Sequence, residues 1–183
     1  NMDYSAELIP LNGIEEYLKN LQSLGFMGVN ITVPFKEKVW ELIDNKSEFA
    51  ALAGAVNTIT IQEDGSLHAD NTDGIGLCRD LTYNHGMQLN NKRILLLGAG
   101  GAARGVIHPL LEQGPAELII ANRTVSKAQN LVEHFTDFGN ISATGFLAVT
   151  GEYDIIINAT SASLQGQVPP IPATAVTRKT FCY

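Results

Sequence analysis

Cysteines and long apolar runs are scarce in this sequence of 183 residues. Its two cysteines, Cys78 and Cys182, form no CxxC pair, which argues against a disulfide framework or a zinc site and favours a reducing compartment such as the cytoplasm. The four histidines show no metal-ligand spacing. The longest apolar runs fall far short of a membrane span. The sequence therefore predicts neither a metal site nor a membrane role.

Positive charge is also in short supply. The chain has 12 Lys and Arg against 19 Asp and Glu, and its net charge of −7 would repel nucleic-acid phosphates and anionic membranes. With 45% hydrophobic and only 17% charged residues, the composition is that of a folded protein with a buried core. We therefore expect a small molecule as partner and no nucleic acid. The oligomeric state is not indicated.

The first part of the chain, residues 1–73, alternates helical and strand patterns. The run at residues 29–33 predicts a strand. Pro34 is placed for the first turn of the following helix, where a proline removes no intrahelical hydrogen bond. Turn residues 63–65, between the predicted strands 57–61 and 67–69, predict a hairpin. These patterns predict an α/β domain with a mixed sheet.

The second part, residues 74–183, repeats strand and helix. Uninterrupted apolar strands at Arg93–Leu97 and Glu117–Ala121 are typical of a parallel sheet that is covered on both faces. The helix between them, over residues 102–113, contains Pro109, which predicts a kink or an early end. The alternation predicts a Rossmann-like, doubly wound parallel sheet, and hence a second domain that follows residue 73.

A glycine-rich turn follows the first strand of the second part. Its sequence fits G-x-G-x-x-A and consists of Gly98, Ala99, Gly100, Gly101, Ala102 and Ala103. Between a strand and a helix this pattern is typical of a dinucleotide site, because the bare backbone can approach a pyrophosphate and the helix start supplies N–H groups. A plain tight turn is the alternative, and the placement favours the dinucleotide.

The end of the second strand indicates which dinucleotide binds. NAD sites usually carry an acid about 20 residues past the glycines, whereas this chain has Asn122 and Arg123. A neutral Asn122 does not repel a 2′-phosphate, and Arg123 can pair with it. The next positions, which add donors at a helix start, are Thr124, Val125, Ser126 and Lys127. We predict NADP(H), the alternative being that Asn122 and Thr124 only end a strand and cap a helix.

Three polar segments of the first part suggest chemistry. Lys36 falls in the first turn of its helix, where the positive end of the helix dipole disfavours a cation, a setting that suits an acid/base group. Asn57 starts a strand and Asp73 precedes a helix. Each has an ordinary alternative, namely a surface lysine, a strand-end amide and a helix N-cap. Together they could hold a polyhydroxylated ring.

The order of these segments resembles the shikimate dehydrogenase family. The motifs that carry the resemblance are residues 30–36, 54–58, 71–74, 98–102, 122–124 and 158–161. The resemblance implies an oxidoreductase that uses NADPH to reduce 3-dehydroshikimate to shikimate in chorismate and aromatic amino-acid biosynthesis. It also implies a substrate domain in residues 1–73 and an NADP domain in residues 74–183.

The resemblance further implies roles for individual residues. Lys36 and Asp73 would be the catalytic pair and would also bind substrate. Thr32 and Asn57 would help to bind substrate hydroxyls. Glu48 and Thr160 would approach the cofactor.

Other interpretations stay open at this point. The chain could be a quinate/shikimate dehydrogenase that uses NAD, a non-catalytic NADP-binding regulator on the same scaffold, or a truncated structural remnant. The family's N-terminal strand, its Ser-x-Ser segment and its last strands and helices have no counterpart here. We therefore expect these 183 residues alone to be inactive.

Overall fold

The computed structural model describes residues 3–162 and 166–183. Asn1 and Met2, where the predicted first domain starts, lie outside the described residues. The chain forms an antiparallel sheet of three strands and a parallel sheet of five strands, with helices packed on both. This arrangement confirms the predicted α/β class with a Rossmann-like part.

The first sheet pairs its three strands antiparallel. Its strands and the associated helices are α1 (Ile14–Asn20), β1 (Gly28–Asn30), α2 (Lys36–Leu42), α3 (Glu48–Ala53), β2 (Thr58–Ile61) and β3 (Leu67–Asp70). The order is β1-β2-β3, and both pairs are antiparallel, so the predicted hairpin is confirmed. The parallel element of the expected mixed sheet is a single bridge between Lys46 and Ala69.

The second sheet is parallel throughout. Its elements are α4 (Asp73–Arg79), a π-helical turn (Asp80–Asn84), β4 (Arg93–Leu97), α5 (Gly101–Glu112), β5 (Glu117–Ala121), α6 (Val125–Phe135), β6 (Ile141–Thr144), β7 (Ile155–Asn158) and β8 (Phe181–Cys182). The strand order is β6-β5-β4-β7-β8. Strands β5 and β6 are added on one side of β4, whereas β7 and β8 are added on the other side. The order of the strands therefore reverses between β4 and β7, and such sheets form a crevice there, at the carboxyl ends of their strands.

Strand β4 is buried on both faces, as its apolar run predicts. Ile94 and Leu96 belong to the core that includes α5, whereas Leu95 and Leu97 belong to the core on the opposite face. All four side chains are at most 4% exposed. This buried strand provides a rigid base for the glycine-rich turn that follows it.

Helices α4 and α5 cross in close contact. A Cβ placed on Gly74 would lie 2.4 Å from the Gly105 carbonyl oxygen and 2.5 Å from Pro109 Cγ. A Cβ on Gly105 would lie 2.7 Å from Asn71 Oδ1. Only glycines fit this crossing, so it fixes the start of α4, and with it Asp73, relative to α5.

The structure corrects the expected place of Pro34 and one of the two outcomes expected of Pro109. Helix α2 begins at Lys36, so Pro34 lies in the turn before the helix, where the Phe35 N–H donates to the Thr32 carbonyl at 3.0 Å. Helix α5 continues through Pro109 to Glu112 instead of ending early. The ring of Pro109 packs on Gly74 of the crossing helix, and this contact stabilises the turn that the missing N–H weakens.

The structure also bears on the membrane and metal roles that the sequence disfavours. Within residues 3–162 and 166–183, no helix combines the length and apolarity of a membrane span. The same residues bring together no group of three or more His, Cys, Asp and Glu side chains that could hold a metal ion.

Candidate active site

Lys36 and Asp73 meet where two helices begin. Lys36 is the first residue of α2 and Asp73 the first of α4. The Lys36 Nζ lies 2.5 Å from Asp73 Oδ2, and the two side chains are 13% and 28% exposed. A partly buried ammonium held by a carboxylate can donate a proton or a strong hydrogen bond to a substrate oxygen. The fold thus brings the two predicted catalytic residues into contact.

Asn57 holds the other side of Asp73. Its Nδ2 donates to Asp73 Oδ1 at 2.7 Å and to Thr72 Oγ1 at 3.0 Å. Its Oδ1 accepts from the Thr72 N–H at 3.0 Å. Asn57 is only 8% exposed. One of these hydrogen bonds orients the Asp73 carboxylate, and the other two hold Thr72. The geometry therefore supports a positioning role, and direct substrate binding by Asn57 stays a prediction.

Backbone contacts fix the start of α2. The Val56 N–H donates to the Lys36 carbonyl at 2.9 Å, which ties the helix to the segment before β2. Thr32 lies at the exposed turn between β1 and α2, on the same connection as Lys36. It is therefore available to a ligand near Lys36, and its predicted contact with a substrate hydroxyl remains to be tested.

A cleft of about 610 Å³ extends from Lys36 to the glycine-rich turn. Among its lining residues are Lys36, Gly98, Ala99, Gly100, Gly101, Ala102, Asn122, Arg123 and Thr160. Residues predicted separately for chemistry and for nucleotide binding therefore share one cavity. Its volume falls in the range of small-molecule and cofactor sites.

Two glycines of the turn meet different requirements. Gly98 has φ +110°, and a Cβ there would lie 2.9 Å from the Ala159 carbonyl oxygen, so it permits the close approach of the chain after β7. A Cβ on Gly100 would meet no described atom within 4 Å. Gly100 therefore faces open space, where a pyrophosphate could approach the backbone. Thr160 is held beside this turn by Asn158 Oδ1, which accepts from its hydroxyl at 2.7 Å.

A second cavity of about 350 Å³ lies at the end of β5. It is lined by Asn122, Arg123, Thr124 and Lys127, among others. The Asn122 Nδ2 donates to the Thr124 carbonyl at 2.9 Å, so this amide does help to end the strand, as the alternative interpretation has it. Arg123 and Lys127 are exposed at the cavity and available to a ligand. The remaining predicted residues, Val125 and Ser126, begin α6 and do not line it.

Two other groups lie outside this arrangement. Glu48 is exposed at the start of α3 and lines neither cavity, so the described structure does not bring it to the candidate site. Burial raises the pKa of the Cys78 thiol to about 11, with a smaller contribution from Glu112. Cys78 is therefore not a source of thiolate chemistry at neutral pH.

The sequence analysis missed Glu37 and Arg104. Both line the second cavity, and Arg104 Nε lies 3.6 Å from Glu37 Oε2. Their positions carry a signal in retrospect, since Glu37 follows Lys36 and Arg104 lies in the first turns of the helix after the glycine motif. That signal becomes specific only when the fold brings α2 and α5 together.

Gly101 offers a test of how the glycine-rich turn and the ion pair fit together. A Cβ on Gly101 would lie 3.1 Å from Lys36 Cβ, closer than an ordinary contact, so Lys36 would have to move by tenths of an ångström. Small misplacements of reacting groups lower rates strongly, and we expect Gly101→Ala to reduce kcat about tenfold while NADPH affinity changes less than about threefold.

The control for Gly101→Ala is Gly76→Ala in α4, where a Cβ meets no described atom within 4 Å. Steady-state kinetics and NADPH titration of both variants provide the measurement. Normal kcat with weakened NADPH binding in Gly101→Ala would show that Gly101 serves only the cofactor.

The chain is similar to several known proteins. A family model described as "Shikimate / quinate 5-dehydrogenase" matches residues 80–166, and one described as "Shikimate dehydrogenase substrate binding domain" matches residues 1–59. A protein of Hahella chejuensis named shikimate dehydrogenase (NADP(+)) is 48% identical over 183 residues, which are 100% of this chain and 67% of that protein.

Solved structures are similar over nearly the whole chain. The Ael1 enzyme from Pseudomonas putida is 43% identical with a TM-score of 0.83, covering 94% of this chain and 63% of its own. Shikimate 5-dehydrogenase from Thermus thermophilus, solved with NADP(H) and shikimate, is 32% identical with a TM-score of 0.76, over 94% of this chain and 63% of its own. The chain thus spans about two thirds of the length of these relatives.

Proposed function

The chain belongs to the shikimate dehydrogenase family, and from that premise we propose that the full-length protein reduces 3-dehydroshikimate to shikimate with NADPH. The observation that carries the proposal is the contact between Lys36 and Asp73 at the edge of a cleft that also contains the glycine-rich turn. We propose that residues 1–73 bind substrate, that residues 74–183 bind NADP(H), and that the enzyme works in the cytoplasm in chorismate biosynthesis.

The residues present fit an NADP molecule. Gly100 leaves the backbone of the turn accessible, and the start of α5 offers N–H groups without intrahelical partners for a pyrophosphate. Arg123 and Lys127 lie at the cavity beyond it, where a 2′-phosphate would need cations. The end of β5 carries Asn122 where NAD sites usually carry an acid.

The ion pair supports the chemistry of ketone reduction. Bound NADPH supplies the hydride. Lys36 would stabilise the negative charge that develops on the substrate oxygen and would deliver the proton to it. Asp73 would hold the Lys36 side chain towards the substrate oxygen, and Asn57 would keep Asp73 from rotating. In the oxidative direction the same groups would take the proton from the shikimate hydroxyl.

An assay of the full-length protein tests this function. We expect NADP⁺ reduction, followed by absorbance, with shikimate, and much weaker activity in the pairings of shikimate with NAD⁺ and of quinate with either cofactor. Activity only with quinate and NAD⁺ would contradict the proposal and favour the quinate/shikimate alternative. NADPH binding without turnover of either substrate would favour a regulator, although a pure binder has no need of the Lys36–Asp73 pair.

The preference for NADPH is expected to depend on Arg123. We expect Arg123→Ala to weaken NADPH binding by about tenfold or more, because it removes a charge-assisted contact to the 2′-phosphate, and to leave NADH binding unchanged. Isothermal titration with both cofactors measures this difference. Arg178→Ala, which removes an arginine that lines neither cavity, serves as the control. An Arg123→Ala variant with its full preference for NADPH would refute the assignment.

A further inference from the structure

Arg104 reaches the second cavity from a different element than the predicted cofactor residues. It lies on α5, and it shares the 350 Å³ cavity with Arg123 and Lys127, which come from the end of β5 and from α6. Its side chain is 28% exposed, so most of it is shielded from water. The cavity therefore collects three cations from three separate segments.

The hydrogen bonding of Arg104 is incomplete. Its Nε is buried, and no described residue accepts a hydrogen bond from it. The nearest carboxylate oxygen, Glu37 Oε2, lies 3.6 Å away, which is an ion pair but too long for a hydrogen bond. A buried donor without an acceptor is uncommon and indicates a ligand, a water or a functional role.

Among the described residues, Glu37 is the only acidic one that lines this cavity. Its side chain is 53% exposed, so moving it away from Arg104 costs little free energy. With Arg104, Arg123 and Lys127 against Glu37, the lining keeps an excess of positive charge. The N–H donors of the Arg104 guanidinium form a planar fork that matches the oxygens of a phosphate. A phosphate dianion would therefore accept hydrogen bonds from Arg104 better than the distant Glu37 carboxylate does.

We propose that Arg104 binds the 2′-phosphate of NADP(H), and that Glu37 pairs with the Arg104 guanidinium until the phosphate replaces the Glu37 carboxylate. The inference rests on the proposed use of NADP(H), and it adds to that proposal a third cation and a competing carboxylate. It gives Glu37 and Arg104 effects of opposite sign on cofactor affinity, which a merely structural ion pair would not produce.

The first arm of the test removes the arginine. In the full-length protein, Arg104→Gln should weaken NADPH binding roughly tenfold to a hundredfold by isothermal titration, since it removes a charged hydrogen-bond donor. NADH binding should stay the same, and Arg104→Lys should recover part of the loss. Equal losses for NADPH and NADH would place Arg104 at the pyrophosphate instead and would overturn the proposal.

The second arm removes the competitor. Glu37→Gln keeps the size of the side chain and removes its charge, and it should strengthen NADPH binding by about threefold or more at low salt. If Glu37 and Arg104 only brace α2 against α5, Glu37→Gln should weaken binding as Arg104→Gln does, which would refute the exchange. This arm and Arg104→Lys remain decisive if Arg104→Gln does not fold.

The outcomes separate this inference from the proposed function. A wild-type protein that binds no NADPH would refute the proposed function itself. A wild-type protein that binds NADPH only as tightly as Arg104→Gln does would refute only the role of Arg104.

Discussion

Replacing Lys36 by methionine should lower kcat by about a hundredfold to ten-thousandfold, the range of general acid–base catalysis. Methionine keeps most of the length of the lysine stem but cannot donate a proton or stabilise an oxyanion. The NADPH dissociation constant should change by less than about threefold, because the proposed 2′-phosphate contacts lie at the second cavity, which Lys36 does not line. Steady-state kinetics and fluorescence titration with NADPH measure the two effects separately.

Lys38 provides the matched control. It lies on the same helix, is 53% exposed and pairs with Glu41 on the surface. Lys38→Met should therefore retain wild-type kcat. Near-normal turnover in Lys36→Met would remove Lys36 from the reaction, whereas equal losses in both variants would point to damage to α2 as a whole.

Replacing Asp73 by asparagine should lower kcat by about a hundredfold, a typical loss when a positioned acid–base partner is removed. The Lys36 ammonium loses its counter-ion, and the amide cannot accept from both Lys36 and Asn57 as the carboxylate does. NADPH affinity should again change little. The exposed Asp137, which lies in the turn after α6, allows the control Asp137→Asn, which should be as active as the wild type.

The double variant decides whether Lys36 and Asp73 act together. If they form one unit, combining Lys36→Met with Asp73→Asn should lower kcat little more than the worse single variant does. Losses that multiply would mean that the two groups act independently. Such a result would contradict the assignment of Asp73 as the partner that orients Lys36.

Local patterns in the sequence predicted the elements better than their ends. The apolar runs located β4 and β5 with their correct bounds, because strands covered on both faces leave no polar interruptions. The early end that Pro109 allowed does not occur, because that expectation considers one helix alone, whereas a crossing helix packs on the proline ring. The mixed sheet was expected from alternating elements, whereas all three strands of the first part pair antiparallel, β2 with β3 through a short turn and β1 with β2 across residues 31–57.

At the candidate site, too, motifs predicted individual residues, whereas the contacts between distant segments became visible only in the structure. The motifs predicted Lys36, Asp73 and the glycine-rich turn; the structure brings Lys36 and the turn to one cleft and places Asp73 in contact with Lys36. Sequence patterns did not reveal that Asn57 holds Asp73, because hydrogen-bond partners 16 residues apart depend on how β2 meets α4. Arg104 was missed for a similar reason, since its surroundings come from α2, from the end of β5 and from α6.

The central claim is that one substrate oxygen meets Lys36 and Asp73 while the nicotinamide lies in the adjoining cleft. A crystal structure of the full-length protein with NADP⁺ and shikimate tests it most directly. We expect the reacting hydroxyl within about 2.6–3.2 Å of Lys36 Nζ or an Asp73 oxygen, the distance of a productive hydrogen bond. A shikimate molecule whose reacting hydroxyl contacts neither side chain would contradict the claim.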